Sequence, residues 1–176
     1  STQRVFVPRA RMDEVAEALL ARVKALVVGD PCDGATDVGP LIRAREVERV
    51  DSAVREAVAG GAVLLCGGEA LGNQCYAPTL LKDAPLQASV SQEELFGPVI
   101  ALYGYGALDE AIAMANHPRW SFQASVFAED REEIAQAIAG LDSAAVMVNE
   151  STAFRTDWMP FGGRRESGLG VGGIPY

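Results

Sequence analysis

The sequence predicts an α/β fold with three layers, in which a mainly parallel, twisted sheet is covered by helices on both faces. Short apolar runs of β type alternate with longer amphipathic stretches, which is the pattern of strands joined by helices. A chain of 176 residues with 49% hydrophobic content can bury one ordinary core. No similar segment recurs at a fixed period, so a repeat architecture is not expected. We therefore predict a single domain.

The first elements follow from apolar spacing and from breaker residues. Residues 4–7 form a strand that Pro8 closes. Residues 12–28 form a helix, because apolar side chains recur at helical spacing until the breaker Gly29-Asp30-Pro31. Residues 43–59 form a second helix, which a glycine pair ends. The apolar stripe of this second helix consists of Val47, Val50, Val54 and Val58.

The remaining elements continue the alternation. Further strands are predicted at residues 62–65, 78–81, 99–105, 123–127 and 144–149. Residues 91–96 form a short turn or helix, and residues 108–115 form a helix whose first turn carries acids, as the helix dipole favours. Asp130, with Glu133 three residues later, resembles a capping box that opens a helix ending at about residue 141.

The net charge limits the classes of partner. The formal charge is −9, whereas binding to phosphate backbones draws its affinity from clustered Lys and Arg. Nucleic acid and anionic membranes are therefore not expected as partners. The sequence contains no secretory signal and no apolar run of about 18 residues. We expect a cytoplasmic protein.

The cysteines are expected to be reduced and structural. Cys32, Cys66 and Cys75 form no CxxC pair, and the chain has one histidine, so no metal site is predicted. Cys66 ends an apolar run and is expected to pack as a small hydrophobe. Cys32 and Cys75 lie in loop-like sequence without a neighbouring histidine, the partner that activates a thiol nucleophile.

One stretch with chemical potential is Glu93-Glu94-Leu95-Phe96-Gly97-Pro98, directly before the predicted strand at residue 99. Ligands collect at strand ends in sheets of this kind. The glycine permits a turn and the proline stiffens it, so a carboxylate and a ring can be held over a flat ligand. Acidic turns are common, and a solvated acidic turn is the alternative.

A second stretch is the polar loop of residues 150–159, which follows the last predicted strand and leads to Pro160-Phe161-Gly162-Gly163. We expect Phe154, Trp158 and Phe161 to line an apolar mouth, and Arg155 to meet an anionic group on a substrate. Core packing of these aromatic rings is the alternative. Neither stretch matches a phosphate-binding glycine loop.

In this order and spacing, the two stretches resemble the aldehyde dehydrogenase superfamily. The resemblance extends over essentially the whole chain. Besides residues 93–98 and 160–163, it is carried by Gln3-Arg4-Val5-Phe6-Val7, Gly29-Asp30-Pro31, Asp37-Val38-Gly39-Pro40-Leu41-Ile42, Tyr76-Ala77-Pro78-Thr79-Leu80, Ala111-Ile112-Ala113-Met114-Ala115-Asn116, Met147-Val148-Asn149 and Glu166-Ser167-Gly168-Leu169-Gly170.

The resemblance implies an NAD- or NADP-dependent enzyme that oxidises an aldehyde to a carboxylic acid through a cysteine thioacyl intermediate. It implies that Glu94 hydrogen-bonds the nicotinamide ribose hydroxyls and that Phe96 packs beside the nicotinamide. The residues that it implies for the wall of the substrate tunnel are Asn149, Ser151, Thr152, Phe154, Arg155 and Phe161. Because this loop is more polar than other versions in the family, a polar or anionic aldehyde is the expected substrate.

The resemblance places other parts of the enzyme outside the chain. The catalytic cysteine is expected two positions before Ser1, so no catalytic residue is assigned within residues 1–176. The protein's own cofactor-binding domain is expected upstream, and an oligomerisation segment is expected after Tyr176. We therefore expect a homo-oligomeric whole protein and an isolated chain without activity. Two alternatives stay open, namely the catalytic half of an acyl-phosphate or acyl-CoA reductase and a non-catalytic scaffold or interaction domain.

Overall fold

The computed structural model describes residues 2–173, which divide into two units. The N-terminal unit is Gln3–Tyr105, and the C-terminal unit consists of Thr2 with residues 106–173. Both units contain helices and strands, so the predicted α/β class is confirmed. That the chain acts as a single domain stays a prediction.

The strands of the N-terminal unit are Arg4–Pro8 (β1), Val63–Cys66 (β2), Ala70–Gly72 (β3), Cys75–Tyr76 (β4), Thr79–Lys82 (β5) and Val99–Tyr105 (β6). Its helices are Met12–Lys24 (α1), Ala44–Ala59 (α2) and Ser89–Gln92 (α3). Four of the strands form a sheet in the order β1-β6-β5-β2. Strands β1, β6 and β5 are parallel, and β2 joins β5 antiparallel at the edge. The prediction of a mainly parallel sheet is therefore confirmed.

Helix α1 packs against the sheet, and helix α2 buries one face made of small apolar side chains. Helix α1 and the sheet share a buried cluster made of Val7, Met12, Ala16, Leu80 and Leu102. The predicted apolar stripe of α2 is buried at Val50 and Val54, whereas the Val58 side chain is 39% exposed. Ala53 and Ala57 are buried instead. Because alanine lets a helix approach its neighbour closely, the buried face of α2 is centred nearer to Ala53 and Ala57 than the predicted stripe of valines is.

Helix α1 is shorter than predicted. It ends at Lys24 instead of residue 28, because residues 27 and 28 pair with a loop that follows later in the chain. The Val27 amide donates to the Asp37 carboxylate at 2.9 Å, and the Val27 carbonyl accepts from the amides of Asp37 and Val38. These bonds replace the helical ones, and Val28 forms a parallel bridge with Val38.

A small hairpin between β3 and β4 was not predicted. Its turn residues Asn73 and Gln74 have φ of 46° and 61°, the left-handed values of a tight two-residue hairpin turn. Cys75, which we expected in a loop, lies in β4 and is buried. The signal was weak because such turns usually contain Asn-Gly, and here glutamine takes the second position.

The C-terminal unit follows the predicted element order closely. Its elements are Leu108–Ala115 (α4), Trp120–Ser121 (β7), Gln123–Val126 (β8), Arg131–Gly140 (α5), Ala145–Val148 (β9) and Arg164–Arg165 (β10). Strands β8 and β9 are parallel, and the unpredicted pair β7 and β10 is antiparallel. Asp130 caps α5 as predicted, since its carboxylate accepts from the amides of Glu132 and Glu133. Within residues 2–173, no helix is both long and apolar enough to cross a membrane.

Candidate functional site

Residues 94–96 present two exposed side chains on either side of a buried one. Glu94 is exposed, Phe96 is 79% exposed and Leu95 is 1% exposed. The short turn or helix predicted at residues 91–96 is observed as a helix that ends at Gln92, so residues 94–96 lie outside it. Leu95 therefore acts as an anchor that leaves a carboxylate and an aromatic ring facing solvent.

The backbone of this segment turns at Phe96 rather than at the neighbouring glycine. Phe96 has a φ of 49°, in the left-handed region that a phenylalanine rarely adopts. Glycine is needed at position 97 for lack of space, because a Cβ there would lie 2.9 Å from Cγ2 of the buried Val50. Strain of this kind persists only where the surrounding contacts hold it, and it is concentrated at functional sites.

Two side chains that the sequence did not single out hold the backbone of this segment. Gln3 binds it from the stretch before β1, and Arg49 binds it from α2. Arg49 also pairs with Glu46 at 2.8 Å. Hydrogen bonding from Arg49 lowers the pKa of the Glu46 carboxyl from its ordinary value, so Glu46 stays ionised and orients the guanidinium. Neither Gln3 nor Arg49 carries a local sequence signal for this contact.

The second predicted group begins at Asn149, whose side chain is occupied by the backbone. Its Oδ1 accepts from the Ala128 amide and its Nδ2 donates to the Ala128 carbonyl, both at 3.0 Å. Asn149 has a φ of 53°, which asparagine tolerates better than most residues. The side chain therefore shapes the start of the loop.

The beginning of the loop is held by short hydroxyl contacts. The Ser151 hydroxyl accepts from the Ala153 amide at 3.1 Å. The hydroxyls of Thr152 and Thr2 lie 3.0 Å apart. Thr2 belongs to the stretch that resembles the sequence just after the family's nucleophile, so the predicted substrate loop contacts that stretch within the C-terminal unit.

Arg155 and Phe161 are brought together later in the same loop. The Arg155 Cζ lies 4.4 Å from the Phe161 ring centroid, and the Phe161 ring packs edge-on against Phe122 at 5.2 Å. Phe161 is also fixed by two 2.7 Å backbone hydrogen bonds with Gly172. Among residues 2–173, no carboxylate forms an ion pair with Arg155. Within the described residues, the exposed guanidinium therefore contacts the Phe161 ring and no carboxylate.

The two predicted groups lie in different units. Glu94 and Phe96 belong to the N-terminal unit, and the remaining predicted residues belong to the C-terminal unit. Phe154 and Phe161 are each 46% exposed and Trp158 is 73% exposed, so these rings are not packed in a buried core. That each group contacts a ligand stays a prediction.

The thiols show no arrangement that would activate a nucleophile. The Cys66 thiol faces the Pro78 carbonyl at 3.8 Å, as expected for a packed residue, and the Cys75 thiol faces the Asn73 carbonyl at 3.7 Å. Cys32 is exposed. In the described part of the chain, no group of three or more His, Cys, Asp or Glu residues is placed to hold a metal ion.

Comparison with known families matches residues 1–176 to the model described as "Aldehyde dehydrogenase family". A 3-sulfolactaldehyde dehydrogenase from Priestia aryabhattai is 36% identical over 176 residues, which are 100% of this chain and 37% of that protein. The chain thus spans a little over a third of the length of such curated relatives.

Solved structures agree in fold. Aldehyde dehydrogenase 21 from Physcomitrella patens, in complex with the reaction product succinate, superposes with a TM-score of 0.94 at 36% identity, over 99% of this chain and 36% of that one. A glyceraldehyde-3-phosphate dehydrogenase from Methanocaldococcus jannaschii, complexed with NADP, gives 0.92 at 33% identity, over 98% and 37%.

Proposed function

This chain belongs to the aldehyde dehydrogenase family, and we propose that the whole protein oxidises an aldehyde to a carboxylic acid with NAD or NADP as electron acceptor. The observation that carries the proposal is the exposed pair Glu94 and Phe96 on either side of the buried Leu95. A homo-oligomeric state and a cofactor-binding domain from the same protein are part of the proposal.

The exposed pair fits a nicotinamide nucleotide chemically. A carboxylate accepts hydrogen bonds from two ribose hydroxyls at once, and Glu94 is exposed for such contacts. An aromatic ring held out of the core offers a flat apolar face to the nicotinamide, and the left-handed backbone at Phe96 sets the direction in which its side chain leaves the chain. When bound, the nicotinamide group accepts a hydride from the substrate. A related structure holds NADP.

We further propose that the substrate is an aldehyde with an anionic group. Arg155 is exposed on the Phe161 ring and forms no ion pair with a carboxylate of residues 2–173, which suits a carboxylate, sulfonate or phosphate of a substrate. Some related proteins are named for anionic compounds, namely 3-sulfolactaldehyde and glyceraldehyde 3-phosphate, and one holds succinate. Others are named for the uncharged lactaldehyde and the cationic betaine aldehyde, so the proposal rests on Arg155.

The direct test uses the whole protein with 4-oxobutanoate and with its methyl ester, two aldehydes of similar length that differ in charge. We expect NAD(P)H formation with a higher kcat/KM for 4-oxobutanoate. Loss of a charge-assisted hydrogen bond costs about 1.5–3 kcal/mol, so Arg155→Gln should lower this kcat/KM about 10- to 100-fold. The methyl ester should be little affected.

Arg131→Gln is the matched control for this test. Arg131 is exposed at the start of α5 in the same unit, so the variant loses the same charge elsewhere. Equal preference for the two aldehydes in wild type and in Arg155→Gln would contradict the anionic substrate. Reduction of an acyl phosphate or acyl-CoA without aldehyde oxidation would contradict the oxidative reaction.

We also propose that the polypeptide of residues 1–176 does not oxidise aldehydes by itself. Its cysteine thiols face backbone carbonyls or solvent, and none is hydrogen-bonded to a base within residues 2–173. NAD-dependent turnover by the purified polypeptide that survives thiol alkylation would contradict this proposal.

A further inference from the structure

We infer that Gln3 is a positioning residue for the proposed cofactor contact, because its side-chain amide fixes the backbone that carries Glu94 and Phe96. The inference rests on the proposed function and adds to it a residue that does not itself touch the cofactor. Gln3 precedes β1 and lies about ninety positions from this segment in sequence.

The Gln3 amide is committed to three backbone groups. Its Nε2 donates to the carbonyls of Val90 and Glu93, both at 2.8 Å, and its Oε1 accepts from the Leu95 amide at 2.9 Å. A primary amide has two donors and one carbonyl acceptor in a single plane, and all of them are used here. The contacts join the end of α3 to the segment that follows it.

Arg49 holds the same segment from helix α2. Its Nη2 donates to the Leu95 carbonyl, and its Nη1 lies 3.5 Å from the Glu94 carbonyl. Leu95 is therefore bound through its amide, its carbonyl and its buried side chain. Both neighbours of Leu95 are exposed, so they take their directions from the backbone of this anchored residue.

The anchor matters because Phe96 adopts a strained backbone. A left-handed phenylalanine relaxes unless the flanking residues are held. Gly97 is confined on the far side by Val50, and Gln3 with Arg49 confines the near side. Release of the Gln3 contacts would let residues 94–96 move, and displacement of reacting groups by about 1 Å lowers rates by up to about 100-fold.

The chemistry of the contact defines the variants. Gln3→Glu turns two donors into acceptors that face two carbonyls, so it repels the backbone that glutamine binds. Gln3→Met keeps similar length and removes the hydrogen bonds without adding charge. Gln87→Glu is the control, because Gln87 is exposed in the same unit and the substitution changes charge equally.

The experiment measures amide hydrogen exchange and steady-state kinetics on the whole protein. In Gln3→Met we expect the Leu95 amide to exchange at least about tenfold faster, since its acceptor is lost. Gln3→Glu keeps an acceptor oxygen, but repulsion from the Val90 and Glu93 carbonyls should displace the side chain, so faster exchange is expected there as well. The Thr79 amide, which donates to the Pro98 carbonyl at 2.8 Å, should keep its wild-type exchange rate.

In the kinetic measurement we expect kcat to fall about 10- to 100-fold, with a larger primary isotope effect for the C1-deuterated aldehyde. The KM for the aldehyde should stay within about twofold, since the predicted substrate contacts are elsewhere.

The outcomes separate the two proposals. If the wild type forms no NAD(P)H with any aldehyde, the proposed function fails and the inference fails with it. If the wild type is active and both Gln3 variants keep the wild-type kcat, isotope effect and Leu95 exchange rate, the inference alone is overturned. Equal losses in Gln87→Glu would also overturn it, because the effect would then come from charge.

Discussion

The side chain of Asn149 exchanges two hydrogen bonds with the backbone of Ala128. Parallel strands β8 and β9 end at Val126 and Val148, and the Asn149 amide continues the pairing beyond them. The residue predicted to begin the substrate wall thus also terminates the sheet of the C-terminal unit.

Asn149→Ala should lower the free energy of unfolding of this unit by about 1–2 kcal/mol. The substitution removes both hydrogen bonds and places alanine at a φ of 53°, which asparagine and glycine tolerate better. Asn149→Gly loses the same bonds without the backbone strain, so it should be less destabilising than alanine. Urea unfolding of both variants measures the difference, and alanine that proved as stable as wild type would refute the expectation.

Gly97→Ala should destabilise the N-terminal unit by about 1–3 kcal/mol, the typical cost of overpacking. The new Cβ would lie 2.9 Å from Val50 Cγ2, and Val50 is fully buried. The double variant with Val50→Ala should recover part of the loss, which a double-mutant cycle measures. Gly34→Ala is the control, because its Cβ meets nothing within 4 Å. Additive effects of the two substitutions would argue against the contact.

Local signals predicted the regular elements well. Strand β6 and helix α4 begin and end at the predicted residues, because the apolar run of residues 99–103 and the acids in the first turn of α4 are both signals from neighbouring positions. The end of α1 was predicted wrongly because it depends on Asp37, a partner ten residues beyond Val27. Hydrogen bonds from a loop that lies later in the chain cannot be predicted from the apolar spacing of the helix.

In the candidate site, too, residues within one motif could be predicted, whereas contacts between residues far apart in sequence could not. The motif identified Glu94 and Phe96, and the structure places them on one anchored segment. The turn was expected at Gly97, whereas the left-handed backbone is found at Phe96. Glycine is required at position 97 because a Cβ there would lie 2.9 Å from Val50 Cγ2, a contact with a residue 47 positions earlier. Gln3 could not be identified, since its three partners lie 87 to 92 positions away.

Glu94→Gln in the whole protein should weaken cofactor binding and slow hydride transfer. Replacing the carboxylate removes a charged acceptor for hydroxyl groups, and charge-assisted hydrogen bonds contribute about 1.5–3 kcal/mol. The KM for NAD(P) should rise about tenfold or more. Glu48→Gln on the exposed face of α2 is the control for the change of charge. Unchanged kinetics in Glu94→Gln would remove Glu94 from the cofactor site.

Asp130→Ala should destabilise helix α5 by about 1 kcal/mol, the usual contribution of an N-cap. The Asp130 carboxylate accepts from the Glu132 amide at 2.7 Å and from the Glu133 amide at 3.3 Å, and both amides lose their partner in the variant. Asp130→Asn should retain most of the stability, because an asparagine oxygen also caps a helix.

The control is Glu129→Ala, which removes a neighbouring exposed carboxylate outside the cap and should change the stability by no more than about 0.5 kcal/mol. Thermal unfolding and amide exchange of residues 132 and 133 distinguish these variants, and equal effects of Asp130→Ala and Glu129→Ala would show that the carboxylate acts only through its charge.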